Sequence, residues 1–215
     1  PIRVSRELAR TPATLWGPAI DSIPNGVNPA GRRAPVAMAT KWGLRGNYVL
    51  FVGRLVPEKA PHLLIRAFRD LPGTTRLVIA GGSSFSDGYR AELVEAATSD
   101  KRVLLTGNVY GEELAELYSN ASAFVLPSDL EGLPLTLLEA AAYGAPVVAS
   151  DIPPHLEVLG DPGPGRRVFP AGDKDGLVKA LTKTLEDSAR KRAGAAELRA
   201  EGLRDYNWNR ANDTI

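Results

Sequence analysis

Short, unbroken apolar runs recur along this chain, with segments of helical length between them. The runs lie at residues 48–53 (YVLFVG), 76–81 (RLVIAG), 102–107 (RVLLTG), 123–128 (AFVLPS) and 146–150 (PVVAS), with a weaker sixth at 167–170. Each is continuous rather than alternating, the pattern of strands buried on both faces of a parallel sheet. Several end in Gly or Ser, where a chain leaving a sheet needs a tight turn. The segments at 57–70, 87–99, 111–120, 134–143 and 173–192 read as helices. Strand and helix in alternation predict an α/β fold, a doubly wound, mostly parallel, Rossmann-like sheet.

Other features narrow the function. The chain has 26 Lys and Arg against 25 Asp and Glu. No basic excess draws it to a polyanion, and a nucleic-acid partner is not expected. It contains no cysteine, which excludes disulfides and thiolate metal sites and suits a cytoplasmic home. The first ten residues, PIRVSRELAR, lack the apolar core of a signal peptide. The longest apolar stretch, 133–149, is interrupted by Glu139, Gly144 and Pro146. His62 and His155 are far apart in sequence, so no metal site is expected. The chain starts with Pro1 and stops at Ile215, and both ends read as cut from something longer.

In an open parallel sheet, ligands collect beyond the carboxyl ends of the strands where strand order reverses. With a 3-2-1-4-5-6 order taken as a premise, that crevice lies between the first and fourth strands. The loops leaving them, 53–59 and 128–134, are also the segments richest in chemistry. In the first, Gly53 allows a sharp turn and close approach of a ligand. Arg54 offers a planar fork of donors and Lys59 a compact cation, a pair suited to a diphosphate and to the charge that grows on it as it departs. The competing reading is solvated surface charge, with one cation paired to Glu58.

The second loop runs into 131–139 (EGLPLTLLE). Pro134 fits the first helical position, and Gly144 followed by Pro146 ends the helix. Free N–H groups near Leu135 and Thr136 then form an anion site facing the crevice. The helix carries Leu135, Leu137, Leu138, Ala140, Ala141 and Ala142, so it should be buried nearly all round. A lone carboxylate there, Glu139, costs several kcal/mol, roughly, unless it is paired or hydrogen-bonded. A ribose diol would satisfy it; an internal cap or a salt bridge to a core arginine would do so as well. Glu131, ahead of the helix, has the position of an ordinary exposed loop acid.

Taken together, 23–28 (IPNGVN), 51–59 (FVGRLVPEK), 77–82 (LVIAGG), 105–109 (LTGNV), 126–128 (LPS) with 131–139, and 146–153 (PVVASDIP) resemble family 4 of the retaining GT-B glycosyltransferases, in that family's order and rough spacing. The resemblance implies a nucleotide-diphosphate sugar as donor substrate, no obligatory cofactor and no metal. Arg54 and Lys59 match the pair that holds the donor diphosphate. Glu131 matches the first acid of a two-glutamate motif, touching sugar hydroxyls, and is grouped with them as catalytic. Glu139 matches the second acid, on the ribose. Gly132, Leu133, Pro134, Leu135 and Thr136 match the loop over the hexose and phosphates, and Val109 falls where the backbone reads the nucleobase. Gly53 and Ser83 complete the expected binding set.

The same resemblance divides the chain into 1–40, the end of an N-terminal domain with its linker, 41–200, the sugar-nucleotide domain, and 201–215, a tail around Trp208 that crosses back. An absent N-terminal domain is then a required partner, and the fragment alone should bind donor weakly and transfer little. Peripheral membrane association of the longer protein is common among relatives with lipid acceptors. Ala60 stands where the family usually has Gly. Two other functions remain: a sugar-nucleotide-binding module without turnover, and a sugar-nucleotide epimerase. A dinucleotide oxidoreductase fits poorly, because Gly53-Arg54-Leu55 puts bulk where G-x-G-x-x-G needs glycine.

Overall fold

The computed structural model describes residues 26–82, 87–186 and 188–206. In chain order the elements are α1 (Ala37–Trp42), β1 (Tyr48–Val52), a 3₁₀ turn (Pro57–Lys59), α2 (Pro61–Arg69), β2 (Arg76–Ala80), α3 (Asp87–Thr98), β3 (Val103–Gly107), α4 (Gly111–Asn120) and β4 (Ala123–Leu126). They continue with α5 (Leu135–Ala142), β5 (Val147–Ser150), α6 (Pro153–Leu159), β6 (Arg166–Phe169), α7 (Lys174–Glu186) and α8 (Ser188–Asp205). The six strands form one sheet in the order β3-β2-β1-β4-β5-β6, and every neighbouring pair is parallel. The expected doubly wound α/β sheet and its strand order are both present.

The apolar runs become strands because both faces of the sheet are covered. β4 and β5 are buried along their whole length, as is β1 up to Phe51. The ring of Phe68 on α2 is capped by the Arg102 guanidinium, 4.8 Å from its centroid. Arg102 also donates to the Leu71 and Phe68 carbonyls, a cation stabilising the end of α2. At the other edge, α8 crosses so near the turn before β6 that a Cβ on Gly194 would lie 1.5 Å from the Pro164 carbonyl oxygen.

Several local readings change. The helix expected over 57–70 breaks at Ala60, whose φ of 48° places it in the left-handed region. A 3₁₀ turn precedes the break and α2 follows it. The helix expected over 173–192 is two helices, α7 and α8. Two helices, α1 and α6, had no sequence reading; at six and seven residues they are too short to show a period.

The crevice follows from the pairing. β1 meets β4 only through Val49↔Ala123 and Leu50↔Phe124, so the two strands share no ladder at their carboxyl ends. There the chain leaves in opposite directions, into α2 on one side and α5 on the other.

Candidate active site

A cleft of about 450 Å³ occupies that rim. Its walls include Gly53 and Arg54 from the β1 loop, Gly81 and Gly82 from the end of β2, Val109 and Tyr110 after β3, and Thr136 and Glu139 from α5. Arg54 and Glu139, 85 positions apart in sequence, thus line one cavity. The side chain of Arg54 is 60% exposed, and its one ion pair among the described residues is a 4.0 Å contact with Glu58. A guanidinium so weakly engaged keeps its donor fork available to an anion.

The floor of the cleft is backbone. Gly53 N–H donates to the Ala80 carbonyl and Leu55 N–H to the Gly82 carbonyl. Gly81 has φ 153°, and a Cβ there would stand 1.9 Å from the Gly53 carbonyl oxygen. The glycine requirement expected at Gly53 therefore belongs to Gly81. A Cβ on Gly53 would meet only the Phe51 ring, at 3.3 Å, and Gly53 is not among the positive-φ residues.

α5 does not bury its whole circumference. Leu137, Leu138, Ala140, Ala141 and Ala142 face the core, while Leu135 is largely exposed and Thr136 and Glu139 are half-buried at the cleft. Pro134 is the cap preceding Leu135 rather than the first helical residue, one position from the expected place. The Leu135 and Thr136 N–H groups in the first helical turn lack intrahelical acceptors by the geometry of any α-helix, while that of Leu137 donates to the Pro134 carbonyl.

Glu139 has neither a cap nor an arginine as its partner. The Tyr118 hydroxyl donates to its Oε2 at 2.8 Å, and Tyr118 stacks on Tyr143 with centroids 5.6 Å apart. Burial raises the Glu139 pKa above its ordinary value, while the Tyr118 hydrogen bond pulls it back. Its Oε1 has no hydrogen-bond partner among the described residues. Glu139 also borders a second cleft of about 400 Å³, lined by residues 26–31, Arg33, Leu135 and Tyr143. Tyr118 was not read from the sequence. Its signal, a tyrosine inside the apolar stripe of an amphipathic helix, is also that of an ordinary core residue.

Lys59 and Glu131 stand apart from this cleft. Lys59 Nζ lies 2.5 Å from Glu131 Oε2, and the two side chains are only 16% and 7% exposed. Ser128 Oγ donates to the other oxygen, Oε1, at 2.8 Å. Glu131 is thus the reverse of an exposed loop acid: both of its oxygens are taken. Asp129 N–H donates to the Glu58 carbonyl and ties the two loops together. Leu133 and Pro134 are buried and Gly132 is exposed, and none of the three borders the cleft. Ser83 lies outside the described residues, as does Trp208. Among the described residues no group of three or more His, Cys, Asp or Glu could hold a metal ion.

Six parallel strands wound in this order, with a cleft at the switch point, define a Rossmann-like α/β domain of the GT-B kind. The fold matches that of Anabaena HepE, solved in complex with UDP and glucose, with a TM-score of 0.90 at 22% identity, covering 100% of this chain and 61% of that one. Sucrose-phosphate synthase from Thermosynechococcus elongatus matches with a TM-score of 0.85 at 29% identity, over 99% of this chain and 55% of that one. The chain belongs to the family of glycosyl transferases group 1, whose profile matches residues 39–199. One relative, O-antigen chain mannosyltransferase B of Escherichia coli, is 32% identical over 166 residues, which are 75% of this chain and 42% of that protein. The chain spans about half the length of the curated relatives it matches.

Proposed function

We propose that this chain is the donor-binding part of a retaining glycosyltransferase that moves a sugar from a nucleoside-diphosphate sugar to a hydroxyl acceptor. The observation that carries the reading is the shared cleft of Arg54 and Glu139 at the β1–β4 switch point, in a chain of the group 1 family. The diphosphate lies against Arg54 and the first turn of α5, where cationic donors and free N–H groups favour anions. The ribose diol meets the open oxygen of Glu139, and Val109 borders the base. Complexes of HepE with UDP and with UDP-glucose support this class of ligand.

Transfer breaks the bond between the anomeric carbon and a β-phosphate oxygen. The electron pair stays on that oxygen; the acceptor hydroxyl oxygen bonds the anomeric carbon on the face the phosphate leaves, and its proton passes to the departing β-phosphate oxygen. Arg54 stabilises the growing charge, and a departing diphosphate would compete with Glu131 for the Lys59 ammonium. Glu131 stands ready for sugar hydroxyls once that competition begins. No step in this scheme needs a metal. The acceptor site belongs to a second domain of roughly similar size, entered through the segment near residue 26 and the end of α8, which meet where Val27 N–H donates to the Tyr206 carbonyl at 2.6 Å. No described helix is long and apolar enough to cross a membrane, and the longer protein works in the cytoplasm or at a membrane surface.

Isothermal calorimetry of this chain against UDP, GDP and ADP tests the reading. At least one should bind, and Arg54→Ala should weaken it. Failure of all three, at concentrations where close relatives of this fold bind, would end it.

A further inference from the structure

Behind the Lys59–Glu131 pair lies a line of polar side chains that the proposed chemistry does not use. Ser128 follows β4, Ser150 ends β5 and His155 lies on α6, and all three are wholly buried. Ser150 Oγ donates to the Ser128 carbonyl at 2.5 Å. His155 Nδ1 is 2.9 Å from the Ser150 carbonyl and 3.0 Å from Ser150 Oγ. A carbonyl can only accept, so Nδ1 carries the hydrogen. The Ser150 hydroxyl, its own hydrogen committed to Ser128, accepts from the same N–H. That assigns the tautomer by elimination and leaves Nε2 as a bare lone pair, buried and without a partner among the described residues.

We infer that His155, Ser150 and Ser128 form a buried brace that positions Glu131, and through it Lys59, in the two loops that leave β1 and β4 beside the donor cleft. The inference rests on the proposed donor reading for its purpose, but not for its geometry. Three fully buried polar groups are costly unless each is satisfied, and apolar side chains would fill the same space without that cost. Here the Ser150 hydroxyl holds the Ser128 backbone through its carbonyl, and the Ser128 hydroxyl in turn donates to one specific carboxylate oxygen, Glu131 Oε1, while Lys59 takes the other. An ordinary local reading of Ser128 and Glu131, three residues apart, is a helix capping box. No helix starts there: α5 begins at Leu135 behind Pro134. Burial lowers the His155 pKa, which keeps the ring neutral and the tautomer fixed.

The test is a double-mutant cycle read by thermal unfolding. His155→Leu removes the Nδ1 donor, and Glu131→Gln removes the charged end of the line. If the brace acts on Glu131, the Tm loss of the double variant falls short of the sum of the singles by about 2–4 °C. His155→Asn, which returns an N–H near the Nδ1 position, should recover most of the loss. Should His155→Leu not fold, Ser128→Ala replaces it in the cycle. Additive losses, or an Asn variant as damaged as the Leu variant, would overturn the brace. Titration of the unaltered protein with UDP, GDP and ADP is read separately. If none binds, the donor assignment falls while the cycle still decides the brace. If one binds, His155→Leu should weaken its glucose conjugate more than the bare diphosphate, and equal weakening would count against positioning of a sugar-facing acid.

Discussion

The two sides of the crevice handle charge differently. On the side of the β4 loop, Lys59 and Glu131 neutralise each other at 2.5 Å, nearly out of solvent, and Ser128 fills the remaining carboxylate oxygen. By contrast, Arg54 on the β1 loop is mostly exposed with a single 4.0 Å ion pair among the described residues, and Glu139 on α5 has one oxygen on Tyr118 and one without a hydrogen-bond partner among them. The first arrangement is closed, and only a ligand that competes for Lys59 or Glu131 would open it. The second is open, and its charges are available to a ligand. Two acids eight residues apart in one motif can therefore have different relations to stability and binding.

Substitutions can break that contrast. The largest effect should come from Gly81→Ala, because the new Cβ meets the Gly53 carbonyl beneath both sides of the crevice. Unfolding free energy should fall by about 3 kcal/mol or more, measured by denaturant melts. Lys59→Ala leaves Glu131 buried without its cation, and should lower stability by about 2–3 kcal/mol. Arg54→Ala should leave the melting temperature unchanged and reduce nucleoside-diphosphate affinity by about 1–3 kcal/mol by calorimetry. If Arg54→Ala also destabilised the fold, the open half would not be open.

Glu139→Gln has a sign that depends on pH. Burial raises the folded-state pKa of Glu139 above its ordinary 4.5. The neutral acid is favoured in the fold, and that advantage is lost as pH rises through the raised value. The Gln variant should match the parent near pH 4 and be equally or more stable at pH 7, while binding nucleoside diphosphate more weakly. Melting curves across that range check it. The smallest effect belongs to Ala60→Gly. Relief of the left-handed backbone at Ala60 is offset by a lost buried methyl and a more flexible unfolded chain, for a net change within about 1 kcal/mol.

The sheet was legible because its four inner strands, β2, β1, β4 and β5, are largely buried, and burial writes itself into sequence as continuous apolar runs. Short helices were not: α1 and α6 are held by packing and caps, which leave no period in six or seven residues. In the site, Arg54, Glu139, Val109, Gly53 and Thr136 converge on one cleft, as expected of loops at a switch point. The state of Glu131 was hidden, since its burial depends on Lys59 arriving from the β1 loop and on the β4 loop folding back to bring Ser128 onto it. The glycine that the floor requires is Gly81, and only the neighbouring strand reveals that, through the Gly53 carbonyl. His155 looked like an isolated histidine because its partners are a serine five residues earlier and a backbone carbonyl.

Backbone amide shifts of the ¹⁵N-labelled chain, followed during separate titrations with UDP, GDP and ADP, test the shared cleft most directly. At least one nucleotide should move the amides of Gly53, Val109 and Thr136 together and saturably, with those of Lys179 and Lys183 on α7 unmoved. Saturable shifts confined to any other surface, or none with all three, would contradict a donor site between Arg54 and Glu139.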